Sequence, residues 1–416
     1  MSQSPKRICI VTAGHLATCP RMVKAADALT EAGHQVRVVS ADYLPWAHDA
    51  DAVLRQTRHW AWNPFDYDKR RKPVRYYQTG LRSRFARAVA KAVSPEKLGL
   101  GWAARAFCRS HPELLKLVLA EPADLIYGGT SGGLAVAFQA AKRMGVPYAL
   151  DLEDFHSAEQ VDSEAARLAH RLIENIERAI LPGAAFLTAG SEAVGTAYEE
   201  KYHVKPLPVL NTFPLPKQAP KFEVSPPGSL KLYWFSQTIG SDRGLEDAVM
   251  AMGLANIPGE LHLRGVAVAG YVETLNGLAE KAAPRLKIFI HSPAAPDKMI
   301  ELAGDYEVGL ALEQATPLNR NLSLTNKAFT YLPAGLAVVF TDTAGQRPLA
   351  GSLAESALIY KPGELESLAR GLKAWADHKD ALLNARKAAW QAAVQRWHWD
   401  HPLEKGRLQA AVANVF

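Results

Sequence analysis

Four stretches of the chain gather residue types that do chemistry. Asp151-Leu-Glu153-Asp154-Phe-His156 puts three carboxylates and an imidazole within six residues, directly after a strand end. Such a group is unfavourable to assemble unless it binds something, because every charge must be solvated or paired. The acidic run suits a divalent cation in composition, but along an extended segment Asp151 and Glu153 face one way and Asp154 the other. A solvated loop with a helix cap is the plainer alternative. The second stretch, Ser236-Gln237-Thr-Ile-Gly240-Ser-Asp-Arg243-Gly244-Leu-Glu246, reads as a strand–loop–helix junction. Its glycines let backbone N–H groups approach a ligand, the helix start favours an anion, and Arg243 adds a permanent cation; together they suit a diphosphate. In the third, Asn319–Val339, a polar loop with Ser323, Thr325 and Asn326 leads into a short helix with Lys327 in its first turn. A cation there is electrostatically misplaced unless an anion lies nearby. The same holds for Arg21 in the fourth stretch, one residue after Pro20 at a helix start. Gly14-His15 precede it at the carboxyl end of the first strand, where open α/β sheets bind ligands, but the GxGxxG spacing of a dinucleotide site is absent.

The elements that must position these groups alternate. Ile8-Cys9-Ile10-Val11 reads as a strand, Arg21–Glu31 as a helix with Met22, Ala25, Ala26 and Leu29 on one face, and Gln35–Ser40 as the next strand. Further strands are expected at 123–127, 147–150 and 185–188, with helices over 133–144 and 163–180 and one capped at Ser191. Five prolines within 214–228 exclude helix and central strand, so an interdomain linker is expected there. The alternation then restarts, with strands at 231–235, 260–263, 308–312 and 337–340 and a helix over 244–252. Strands alternating with helices imply parallel sheets covered on both faces. The expected fold is α/β, with two Rossmann-like doubly wound domains, 1–213 and 229–395, facing each other across a cleft.

Length and composition agree with two domains, since 416 residues exceed what one hydrophobic core sustains. Three widely spaced cysteines match no metal or disulfide pattern and point to a reducing, cytoplasmic setting. The apolar stretch near the start is too short for a signal segment, and nothing approaches the ~18 continuous apolar residues of a membrane span. Net charge is +6, but fourteen Lys/Arg face three Asp/Glu between Arg55 and Arg109, so the basicity is local.

The motifs resemble the GT-B fold glycosyltransferases, in particular the retaining enzymes of glycosyltransferase family 4. The likeness runs through Pro20-Arg21, Gly33-His-Gln-Val36, Gly190-Ser-Glu192, Arg243-Gly-Leu-Glu246 and Leu263-Arg-Gly265. It is most specific at Asn326-Lys327, Tyr331-Leu332 and Gly335 to Val339. The resemblance implies a UDP- or GDP-sugar donor on the C-terminal domain, a polysaccharide or lipid-linked acceptor on the N-terminal one, and no catalytic metal or cofactor. It makes Arg243 the diphosphate contact, sets Lys327 near the phosphates or ribose, and places Gly265 and His291 at the nucleotide. Gly14 would approach the phosphate or sugar from the first domain, and residues 396–416 would return to that domain as a final helix. The family's paired glutamates fall on Leu322 and Thr330, so ribose or sugar contacts would pass to Ser323, Thr325 or Asn326. The family's histidine position falls on Glu153, with Asp154 and His156 beside it, and Glu153 would accept sugar hydroxyls or stabilise an oxocarbenium ion. A nucleotide-sugar epimerase shares the scaffold, and a non-catalytic nucleotide-sugar-binding partner protein is the remaining alternative.

The basic segment adds a surface. Leu81, Phe85, Ala88, Val89 and Ala92 fall on one helical face, with Arg82, Arg84, Arg87 and Lys91 on the rest. This suits a helix lying on the anionic inner face of a cell membrane, near a lipid-linked acceptor. A helix packed on its own domain with a solvated basic face is the other reading. Nucleic acid is disfavoured, because no binding motif accompanies the charge.

Overall fold

The computed structural model describes residues 4–93 and 97–416. The chain forms two compact units, Met1–Leu210 with Pro402–Phe416, and Asn211–His401.

In the first unit seven parallel strands form one sheet. They are β1 (Arg7–Thr12), β2 (Gln35–Asp42), β3 (Ala61–Asp66), β4 (Leu125–Gly129), β5 (Tyr148–Leu152), β6 (Phe186–Ala189) and β7 (Leu207–Pro208), in the order β3-β2-β1-β4-β5-β6-β7. Helices α1 (Pro20–Glu31), α2 (Pro45–Gln56), α3 (Pro73–Ala92), α4 (Leu100–Phe107), α5 (His111–Leu119), α6 (Ser131–Met144), α7 (Glu164–Ile180) and α8 (Glu192–Tyr202) accompany it. Ile8, Ile10 and Val11 are buried, as a central parallel strand requires. Ser163 and Ser191 accept the N–H groups of Ala166 and Val194 and so start α7 and α8. Strand order reverses between β1 and β4, which opens a crevice at their carboxyl ends. A final helix, Arg407–Ala413, belongs to this unit, where Gln409 donates to the Ala28 carbonyl at 2.8 Å.

The second unit repeats the plan with β8 (Leu230–Ile239), β9 (Gly259–Ala267), β10 (Leu286–His291), β11 (Val308–Ala311), β12 (Ala337–Thr341) and β13 (Ala357–Tyr360), ordered β10-β9-β8-β11-β12-β13. Its helices are α9 (Leu245–Ala255), α10 (Tyr271–Ala282), α11 (Met299–Ala303), α12 (Leu318–Leu322), α13 (Asn326–Tyr331), α14 (Arg347–Ser352), α15 (Leu365–Asp377) and α16 (Lys379–Gln395). Leu230, Leu232 and Trp234 pack with Leu261, Leu263, Leu310 and Val339 in one core. The reversal here lies between β8 and β11. The sequence reading ended β8 at Phe235 and made Ser236-Gln237 loop residues. The strand instead continues through a bulge, and Thr238 and Ile239 pair with Val266 and Ala267.

The proline-rich stretch 214–228 carries neither helix nor strand, but it is not a free tether. Arg386, fully buried on α16, donates to the carbonyls of Gly335, Glu223 and Lys221 and lies over the Phe222 ring. Replacing it strands three carbonyls. Arg386→Met is therefore expected to lower the unfolding free energy by about 2–4 kcal/mol in urea titrations.

Candidate active site

In the second unit the reversal point carries a buried ion pair. β11 delivers Glu313, and α13 carries Lys327, whose Nζ donates to Glu313 Oε1 at 2.6 Å. Thr325 Oγ1 lies 3.3 Å from the same oxygen, and Lys327 sits 5.6 Å over the Trp234 ring. Burial pushes the Glu313 carboxyl up, but Lys327, with Arg243 and Arg320 behind it, overcomes that and holds it below its ordinary range. Arg320 donates to the Asp242 carbonyl at 2.6 Å, and burial together with Arg243 lowers its own pKa. Three cations thus converge on Glu313, with exposed Asp242 as the other nearby carboxylate. The sequence argument required an anion beside Lys327; Glu313 is one, and that argument did not identify it. Its position just past the apolar run Val308–Leu312 is the signal that marks it.

Backbone packing supports this cluster. Gly244 has φ of +72°, and a Cβ there would lie 2.8 Å from Leu312 Cβ, so α9 enters against the end of β11 only without a side chain. Gly240 is buried just past β8, and a Cβ at Gly265 would meet the Ser236 carbonyl at 2.4 Å. Gln237 is exposed and Ser236 half-buried beside the bulge. Ser323 donates to the Asn319 carbonyl at 2.7 Å, and the Asn326 carbonyl accepts from Thr330. His291 is not brought to the cluster. It ends the outermost strand, about 15 Å of strand spacing from β11, and its ring bonds His262 at 2.9 Å.

In the first unit the acidic stretch at the end of β5 and a glycine-rich turn at the end of β4 lie at the carboxyl ends of neighbouring strands. Arg21, expected to serve an external anion, is buried and donates twice to Asp151, at 2.9 and 2.5 Å, and once to the Val209 carbonyl. Its guanidinium is consumed inside the fold. Thr188 also donates to Asp151, at 2.6 Å. Burial pushes the Glu153 carboxyl up to about 7, with Arg21 and Lys24 opposing the rise and Asp154 and Asp151 adding to it. That value suits a group that takes or gives a proton near neutrality. His156 is buried and pairs with Glu159 at 2.5 Å; burial opposes its charge, yet Glu159, Glu177 and Asp154 hold it up at about 9. Tyr198 positions this turn by accepting the His156 N–H at 3.2 Å while donating to buried Glu177 at 2.6 Å.

His15 is a second correction. Its ring is wholly buried, Nδ1 pairs with Asp51 at 2.8 Å, and Nε2 accepts the N–H groups of Tyr43 and Leu44. It braces the loop after β1 and has no nitrogen left for a ligand. Gly14 packs on Cys19, where a Cβ would come within 2.9 Å of Sγ. Sequence reasoning also missed Gly128-Gly-Thr-Ser-Gly-Gly133, although four glycines in six residues after a strand are a legible signal. A Cβ at Gly133 would lie 2.9 Å from the Val11 carbonyl, so α6 starts hard against β1. Thr130 between them has φ of +58°, held by contact with Thr12 at 3.2 Å and by the Ala13 N–H it accepts.

Helix α3 turns its apolar face outward, contrary to the reading in which that face packs on its own domain. Thr79, Ala86 and Ala90 form its buried face, while Leu81 and Phe85 are each 63% exposed and continue the line of exposed Val74 and Tyr77. Arg82 is not a free surface cation, because it donates to both oxygens of Glu113 at 2.7 and 2.6 Å. Arg87 donates to the Ala106 carbonyl, whereas exposed Arg84 and Lys91 flank the apolar ridge. A hollow of about 420 Å³ beside the ridge is lined by Tyr76, Tyr77, Arg84, Arg87 and Arg109.

The raised Glu153 carboxyl makes stability depend on pH in a defined sense. Between its ordinary 4.5 and about 7 the folded state holds a proton that the unfolded chain has released, so stability falls as pH rises. Glu153→Gln is expected to melt several degrees above the parent at pH 8, with the difference closing near pH 4, as followed by calorimetry.

Residues 20–210 match the family model described as "Glycosyl transferase 4-like domain". No curated protein matches the sequence. Among solved structures the chain is similar to HepE of Anabaena in complex with UDP-glucose, at 16% identity over 99% of both chains with a TM-score of 0.65. It is similar to sucrose-phosphate synthase of Thermosynechococcus elongatus at 13% identity over 99% of this chain and 100% of that one, with a TM-score of 0.69. The glycosyltransferase SnogD of Streptomyces nogalater matches at 14% identity and a TM-score of 0.51, over 99% and 100% of the two chains. The two Rossmann-like units are therefore those of the GT-B fold, and residues 20–210 resemble the glycosyl transferase 4-like domain.

Proposed function

We propose that this protein is a retaining glycosyltransferase that moves a sugar from a nucleoside-diphosphate sugar to a polysaccharide or lipid-linked glycan, without a catalytic metal. The observation that carries the reading is the convergence of Arg243, Arg320 and Lys327 on Glu313 at the reversal point of the second sheet. Fixed cations there stabilise the charge that develops on a leaving diphosphate, the task a divalent ion performs elsewhere. The anomeric carbon–phosphate oxygen bond breaks, a bond to the acceptor oxygen forms on the same face, and the acceptor proton leaves with the nucleoside diphosphate. UDP is the favoured nucleotide over GDP, because HepE of Anabaena is held in complex with UDP-glucose. Glu153, with Asp154 and His156 beside it, is assigned to sugar and acceptor hydroxyls on the first unit. The exposed ridge of α3 with Arg84 and Lys91 is assigned to the cytoplasmic face of an anionic membrane, where a lipid-linked acceptor of the cell envelope would reside.

Thermal shift with UDP, GDP and their sugars tests the donor site. A ligand at 100 times its Kd is expected to raise Tm by about 5–10 °C, with Arg243→Ala and Arg320→Ala removing most of the gain. No response to any nucleotide from the folded protein would overturn the assignment. Product formation should survive a chelator, and hydrolysis or epimerisation of the donor alone should be slow beside transfer. Flotation with anionic and neutral vesicles tests the ridge. Leu81→Glu with Phe85→Glu is expected to weaken anionic-vesicle binding roughly tenfold or more.

A further inference from the structure

A second charged cavity in the first unit lies outside everything assigned above. It has a volume of about 480 Å³, within the range of small-molecule sites, and sits among α4, α5 and α6. Arg105 from α4, Lys116 from α5 and Arg143 from α6 line it together with Gln139, and no carboxylate does. All three cations are exposed, and none pairs with a carboxylate among the described residues. Glu113, also on α5, is taken up by Arg82 of α3. Three uncompensated positive charges brought together from three helices repel one another unless an anion joins them.

An independent feature points the same way. His111, the first residue of α5, lines this cavity and is only 2% exposed, yet neither ring nitrogen has a hydrogen-bond partner. A buried imidazole without a hydrogen-bond partner is destabilised relative to a bonded one, so such a group calls for a partner. Its ring titrates down at about 4, through burial first and then through Arg105, Arg143 and Arg82. It is therefore neutral near pH 7, with one N–H to give and positive charge on several sides. Pro112, Leu115, Leu119 and Ala120 form the rest of the wall.

We infer that this cavity binds a phosphate monoester, its dianion held by Arg105, Lys116 and Arg143 and by the ring N–H of His111, its ester group lying on Pro112, Leu115 and Leu119. Two net charges match three cations better than one carboxylate does, and the apolar wall suits an organic ester. The source is either a soluble phosphorylated metabolite or the headgroup of a lipid phosphate. The second is geometrically natural, because Arg105 lies 5.8 Å over the Trp102 ring, which in turn meets Phe85 of the exposed ridge at 6.0 Å.

The test follows the His111 ring resonances by NMR, assigned with His111→Asn, while the full chain is titrated with sn-glycerol 3-phosphate and, separately, with a short-chain phosphatidate. Saturable movement with glycerol phosphate, and an upward shift of the pH at which His111 titrates, is expected for a soluble ligand. The same response to phosphatidate alone assigns the headgroup. In either case Lys116→Gln with Arg143→Gln, both at exposed positions, should weaken binding roughly tenfold or more and flatten its salt dependence. No response to either compound, or equal binding by the double variant, would overturn the inference. The donor site lies in the other unit, so that result leaves nucleotide binding untouched.

Discussion

The carboxylate of Glu313 sits at the end of a central parallel strand, where backbone and side chains from several elements point into one crevice. Buried alone, it would pick up a proton or unfold the site. Lys327 prevents this at 2.6 Å, and Arg243 and Arg320 add more positive charge than Glu313 and exposed Asp242 are placed to absorb. The result is a cation cluster around one buried anion, which follows the end of β11 by two residues and is bonded directly by Lys327. Much of the surrounding geometry follows: the bare Gly244 that lets α9 close on Leu312, and the short buried helix α13 that presents Lys327 inward.

The first unit solves a related problem with the opposite sign. Three carboxylates cluster at the end of β5, and one of them, Asp151 within the strand, is paired by the two-pronged bond from Arg21. Glu153 is pushed up to about 7 by burial and by its acidic neighbours, against the pull of Arg21 and Lys24. His156 is drawn into Glu159 and braced by the Tyr198–Glu177 contact. One acidic stretch therefore yields a structural carboxylate and a titratable one, separated by environment rather than by residue type.

The α3 surface shows what sequence periodicity leaves undecided. A helix with apolar residues on one side ordinarily turns that side inward. Here small residues, Thr79, Ala86 and Ala90, make the close contact, and the larger Leu81 and Phe85 remain outside. Both faces have helical spacing, so the pattern predicts a helix without saying which face is buried.

The alternation of β-branched runs and helical faces, broken by prolines, determined two parallel-sheet units, because strand and helix periods are local properties of the chain. The same local rules placed Arg243, Lys327 and Glu153 near strand ends, where ligand groups of such sheets gather. Which charge neutralises which was decided only by tertiary structure. Arg21 and Asp151 are 130 residues apart in sequence and 2.5 Å apart in space, and nothing in either neighbourhood announces the other. His15 likewise became a brace and His291 a sheet-edge residue through long-range packing. Electrostatic pairing depends on distance in space and on burial, and both are fixed only once the chain has closed on itself.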